Sequence, residues 1–173
     1  MKFMRIPIVN EQDEIIAYKT REEITREDIR RIVGLNIFNE NDEILIAKRQ
    51  STKAIDPNVW GPAVAGTVDE SYDYDDTMVK EMGEEIGLYT VKPIFVKKMY
   101  YETANSRRFT CVYYATINSN AFTPKIQESE VAEIKWINLN NLENWYKDRP
   151  QDFIPSFQRT INNIKEALEL KQK

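Results

Sequence analysis

Glu81, Glu84 and Glu85 crowd into the short stretch Lys80-Glu-Met-Gly-Glu-Glu-Ile-Gly87. Carboxylates at this density suit a hard cation such as Mg²⁺ or Mn²⁺. The chain contains no histidine, which removes histidine general bases, Ser-His-Asp triads and Cys/His zinc sites. On a helix turning about 100° per residue, the three glutamates share one arc. Met78, Val79, Met82 and Ile86 form an apolar arc beside them. Like charges four residues apart repel by a few tenths of a kcal/mol, and partial burial raises the cost unless a cation compensates. A solvated acidic face is the plainer reading of such a cluster, and spacing alone leaves both open.

The elements that must position these residues are legible in outline. Phe3–Val9 and Glu14–Lys19 read as strands around the polar turn Asn10-Glu-Gln-Asp13. Thr25-Arg-Glu-Asp28 suggests a capping box for one helical turn. Arg31–Phe38 and Glu43–Lys48 are apolar strands, and Arg49–Gly61 a loop. Pro62–Val68 reads as one short buried strand. A helix is predicted from Asp73 to Ile86, with aspartates in the first turn, where the helix dipole favours them, and Gly87 as its stop. Gly83 weakens the interior of that helix by about 1 kcal/mol relative to alanine, for no reason visible in the sequence. Val91–Tyr101, Phe109–Ile117 and Val131–Ile137 are further strands. Phe157, Ile161, Ile164 and Leu168 form the apolar stripe of a C-terminal helix. Mixed strands and helices of this kind predict an α/β or α+β domain.

A length of 173 residues, with 42% hydrophobic and 30% charged, predicts a single domain over 1–173 with a sizeable core. The formal net charge of −4 argues against a nucleic-acid partner, and an anionic substrate then needs a bridging cation or a local basic patch. Cys111 is the single cysteine, and its strand-like setting predicts a buried apolar thiol rather than a nucleophile. With neither a signal-peptide run nor a bilayer-length apolar segment, a cytoplasmic protein without a membrane partner is expected.

From Gly66 to Leu88 the sequence resembles the Nudix box, G-x5-E-x7-R-E-U-x-E-E-x-G-U, where U is a bulky aliphatic residue. Gly66, Glu81, Met82, Glu84, Glu85, Gly87 and Leu88 align without gaps. Two positions depart: Tyr72 stands at the first glutamate and Lys80 at the arginine that orients the metal-binding acids. Lysine keeps the charge but lacks the planar fork. Glu70 or Asp73 could stand in for the missing acid, although neither has the spacing.

The resemblance implies a Nudix-type α/β/α sandwich with a mixed central sheet and an N-terminal β-hairpin. It implies a Mg²⁺- or Mn²⁺-dependent hydrolase that cleaves a phosphoanhydride bond in a nucleoside diphosphate linked to another moiety. Glu81, Glu84 and Glu85 would hold the metal. Gly66, Lys80 and Gly87 would support the motif. The catalytic carboxylates would be Glu84, Glu85 and Glu130, with Glu128 as an alternative to Glu130. Arg49 and Lys53, within ILIAKRQSTKAIDPNVWGPAVAG, resemble the diphosphate-contacting pair of the branch related to isopentenyl-diphosphate isomerase. That isomerase, however, uses a cysteine and a histidine where this chain has Ala65 and Thr67. Tyr72 and Lys80 also leave room for a binding or regulatory module of the same fold without turnover. Trp60 could stack on a base or pack at the loop end, and only one of Tyr100 and Tyr101 can line a site. The N-terminal hairpin offers an edge strand for a homodimer.

Overall fold

The computed structural model describes residues 5–173, so the start of the strand expected from Phe3 lies outside the described residues. β1 (Ile6–Val9) and β2 (Ile15–Lys19) form the N-terminal hairpin. A 3-10 turn lies at Arg21–Glu23, where the Thr20 N–H donates to Glu23. The capping bond expected at Thr25 is present, its N–H donating to the Asp28 side chain, but it closes a turn and not a helix: the Asp28 N–H donates to Thr25 O, and β3 (Ile29–Phe38) begins at the next residue. β4 (Ile44–Arg49) follows.

The single strand expected at Pro62–Val68 is two. β5 (Trp60–Pro62) pairs with β4, and β6 (Val64–Thr67) pairs with β3. The break at Ala63 follows Pro62, which has no N–H to donate to a ladder. α1 (Tyr74–Ile86), β7 (Ile94–Thr103), β8 (Ser106–Thr116) and β9 (Val131–Ile137) come next. α2 (Leu139–Asp148) is a helix that the sequence reading missed. Its signal was present: the Asn138 side chain accepts from the Asn141 N–H, ahead of an apolar Leu139, Leu142, Trp145 spacing. α3 (Phe157–Lys171) closes the chain, with Ala167 rather than Leu168 as its fourth fully buried stripe position.

All the strands join one sheet, and β3 is its hub. β3 pairs antiparallel with β1, β4 and β6, and parallel with β8 from Ile29↔Arg107 to Phe38↔Thr116. Alternate residues face opposite layers. Val33, Leu35, Ile37, Cys111 and Tyr113 pack with Met78, Met82 and Ile86 of α1. The other face, through Phe38, Ile44, Ile46 and Tyr114, meets α2 and α3. This is the α/β/α arrangement expected. Cys111 is buried as predicted, and burial raises its thiol to about 12. Val79, placed in the apolar arc from the sequence, is half exposed. It lies at the rim of the stripe, beyond the part of α1 that the sheet covers. Trp60 is core, edge-on to Trp145 at 5.6 Å, and does not line a site.

The hairpins β1–β2 and β3–β4 turn on near-identical sequences, Asn10-Glu-Gln-Asp-Glu14 and Asn39-Glu-Asn-Asp-Glu43. In each, the asparagine Oδ1 accepts two backbone N–H groups, and an aspartate takes the left-handed conformation, Asp13 at φ 63° and Asp42 at φ 57°. Asp13 is buried as well. It accepts from Arg31 Nε at 2.7 Å, Lys98 Nζ at 2.7 Å and the Tyr74 hydroxyl at 3.1 Å, tying the first turn to β3, β7 and α1. Asp13→Asn keeps the shape and the backbone tolerance while removing the charge. It is expected to lower the unfolding free energy by about 3 kcal/mol in urea titration.

Candidate active site

α1 presents the glutamates, and its ends are firmly set. The Asp73 side chain caps the N-terminus by accepting from the Asp76 N–H at 2.9 Å. At the other end Gly87 adopts φ 72°, with Gly87 N–H on Gly83 O and Leu88 N–H on Met82 O, each at 3.0 Å. That conformation favours glycine. Gly83 now has an explanation: a Cβ there would overlap the Tyr89 ring, which folds back over the helix.

The three box glutamates do not behave alike. Glu81 and Glu85, four residues apart, lie along the flank of the apolar face, while Glu84 stands about 100° round from Glu85. The Glu81 side chain is 16% exposed and that of Glu84 is 54% exposed. Lys80 donates to Glu84 at 2.8 Å and to Glu81 at 3.4 Å. Burial opposes the Lys80 charge, but its bonds to the two glutamates outweigh that and raise it. Lysine thus makes contact with both acids from the position where an arginine was expected.

Glu81 lies against β6 at the position of Gly66, where a Cβ would overlap its side chain. Glu85 accepts the Ala65 N–H at 3.1 Å. Burial raises the Glu85 carboxyl to about 8, with the charges of Glu81 and Glu130 adding to the rise and the Ala65 bond and Arg49 opposing it. Glu81 is raised as well, first by burial. The third acid comes from the loop before β9. Lys125 N–H donates to Ile86 O and Gln127 N–H to Glu85 O, so this loop satisfies the last carbonyls of α1. The tie brings Glu130 to Glu85, and the two line one cavity of about 120 Å³. Glu128 is exposed.

Arg49 lines the same cavity, with its guanidinium anchored on the carbonyls of Ile55 and Asp56. Lys53 forms an ion pair with Glu130. Tyr72 is exposed in the turn before the helix. Of the acids near it, Glu70 bonds Arg5 and Asp73 caps the helix. Among the described residues, no three acidic side chains already converge closely enough to cage a metal ion. The donor set still fits a hard divalent cation: Glu85 and Glu130 line one cavity, Glu81 lies one helical turn before Glu85, and all three side chains offer oxygen.

A sequence model of the NUDIX domain matches residues 28–157. The chain belongs to the Nudix family. It is 26% identical over 133 residues to the uncharacterized Nudix hydrolase YfcD of Escherichia coli K12, covering 76% of this chain and 72% of that protein. The crystal structure of DR0079 from Deinococcus radiodurans superposes with a TM-score of 0.78 at 20% identity, covering 92% of this chain and 98% of that one. The Nudix domain of Shewanella oneidensis NrtR, in complex with ADP ribose, has a TM-score of 0.65 at 16% identity, covering 87% and 94%. The family, together with relatives named as hydrolases, makes this chain a Nudix hydrolase. No helix among the described residues is long and apolar enough to cross a membrane.

Because its folded-state carboxyl is raised to about 8, Glu85 binds more proton in the folded chain than in the unfolded one. Its contribution therefore lowers stability as pH rises from about 5 to about 8. Urea midpoints of metal-free protein across that range are expected to fall, and Glu85→Gln to flatten the fall. Gly66→Ala, which drives a methyl into Glu81, is expected to cost about 1–3 kcal/mol by the same measurement.

Proposed function

We propose that the protein hydrolyses the phosphoanhydride bond of a nucleoside diphosphate linked to a second moiety, using Mg²⁺ or Mn²⁺. The observation that carries this reading is the half-buried pair Glu81 and Glu85, pressed against Gly66 and Ala65 with Glu130 facing in from the opposite loop. Burying two carboxylates side by side is unfavourable unless a cation joins them. Glu81 and Glu85 would hold the ion, with Glu84 one step round the helix, beside Lys80, as the further ligand. When bound, the ion neutralises diphosphate charge and acidifies a coordinated water.

The chain's own residues carry the remaining roles. Glu130 takes the proton from the attacking water, and its ion pair with Lys53 fixes its place beside the cavity. Arg49, already oriented by two carbonyls, faces the diphosphate with its charge. The ADP ribose held by the NrtR Nudix domain is a nucleoside diphosphate of the proposed kind. Isomerase chemistry has no support at this site: Ala65 and Thr67 flank Gly66 on β6, and neither can exchange a proton with carbon.

Incubating the protein with a panel of nucleoside diphosphate compounds and Mg²⁺ or Mn²⁺ tests the reading. Glu85→Gln is expected to reduce product formation at least about a hundredfold while keeping the wild-type circular dichroism spectrum. Undiminished turnover in that variant would refute the assignment.

A further inference from the structure

Beyond the catalytic cavity, on the α3 face of the sheet, lies a second cavity of about 200 Å³. Pro62, Ala65 and Ile154 line both, so the two meet along one wall. Its floor includes Ile32 and Val112, with Gly34 between them at a point where a Cβ would meet nothing within 4 Å. The floor is therefore open space rather than packed core.

The far end of this cavity is cationic. Arg108 of β8 and Arg159 of α3 line it, and Arg30, which does not, is paired directly with Arg108 across β3 and β8. The guanidinium of Arg159 lies 4.3 Å from the centre of the Tyr101 ring, and that of Arg108 lies 5.8 Å from it. Arg30 donates to Ser106 at 2.9 Å. Burial, then the charges of Arg30 and Arg159, depress the Arg108 guanidinium, and burial depresses Arg30. Asp28 and Asp56 are the acids that act on this cluster, and Asp28 is already paired with Lys19. Three polar atoms of the cavity, Thr110 Oγ1, Arg159 Nη1 and Asn163 Oδ1, are buried with no hydrogen-bond partner among the described residues. An unpaired buried donor or acceptor costs stability, and so does unneutralised clustered charge.

From these observations we infer that the cavity is a substrate subsite for a phosphate monoester carried on a sugar that is esterified to the scissile diphosphate. Arg159 and Arg108 take the phosphate, Thr110 and Asn163 the sugar hydroxyls, and the Gly34 floor the ring. The inference deepens the hydrolase reading and rests on it for the diphosphate end. A guanidinium fork matches phosphate oxygens in a way an ammonium does not, and Tyr101 holds that fork in place.

Two matched pairs test it, NADPH against NADH and coenzyme A against its 3′-dephospho form, each assayed with Mg²⁺ or Mn²⁺. The phosphorylated member of at least one pair is expected to show a kcat/KM about ten- to a hundredfold higher. Arg159→Met and Arg108→Met, which keep the aliphatic stems, should each bring that ratio close to one. A metal-free calorimetric titration separates the subsite from catalysis, because adenosine 2′,5′-bisphosphate and AMP contain no diphosphate. Tighter binding of the bisphosphate, lost in Arg159→Met, supports the subsite even if no compound is hydrolysed, an outcome that would instead overturn the hydrolase reading. Hydrolysis with equal kcat/KM within both pairs, together with equal binding of the two nucleotides, overturns the subsite.

Discussion

The ten residues of β3 carry more of this structure than any other segment. They accept four strands as partners and serve both helical layers at once, with odd positions facing α1 and even positions facing α3. β-branched and long aliphatic residues satisfy the α1 side: Val33, Leu35 and Ile37 are almost fully inaccessible to solvent. The even side changes character along its length. It is apolar at Phe38, open at Gly34 and charged at Arg30. One strand thus sets the core, the path of β6 beneath the glutamates, and the cationic end of the second cavity.

Against that scaffold the catalytic helix carries an unusual load. Helices bury apolar faces readily, yet α1 also presses Glu81 and Glu85 towards the sheet. The arrangement works because β6 offers almost no side chain there. Gly66 leaves room for the Glu81 stem, and Ala65 turns a backbone N–H to Glu85. The opposing loop then brings a third acid by hydrogen-bonding the end of the same helix. Backbone groups position the acids, so the identity of the glycine matters more than that of most neighbouring residues.

Much of this was legible in the sequence, and the gaps have physical causes. The helix from Asp73, its Gly87 stop and the C-terminal stripe follow from capping chemistry and periodicity, which are local. Gly83 was not legible, because the ring that covers it belongs to Tyr89, outside the helix. The division of β5 from β6 depends on which neighbour each pairs with, a non-local choice. The unequal exposure of Glu81 and Glu84 needed the position of β6. The arginine cluster was invisible for the same reason: Arg30, Arg108 and Arg159 are ordinary charges until the parallel ladder and α3 bring them together.

That ladder joins positions far apart in the chain: Arg30 meets Arg108 directly across it. The β3–β4 and β7–β8 hairpins close over short loops, whereas β3 reaches β8 only after the intervening chain has been gathered in. Contacts of such long sequence separation bear the largest loop-closure entropy and slow folding. In kinetic terms, the basic end of the molecule depends on a contact of long reach: until β8 has joined β3, a chain that already has its hairpins and α1 still lacks the surface on which an anion could rest.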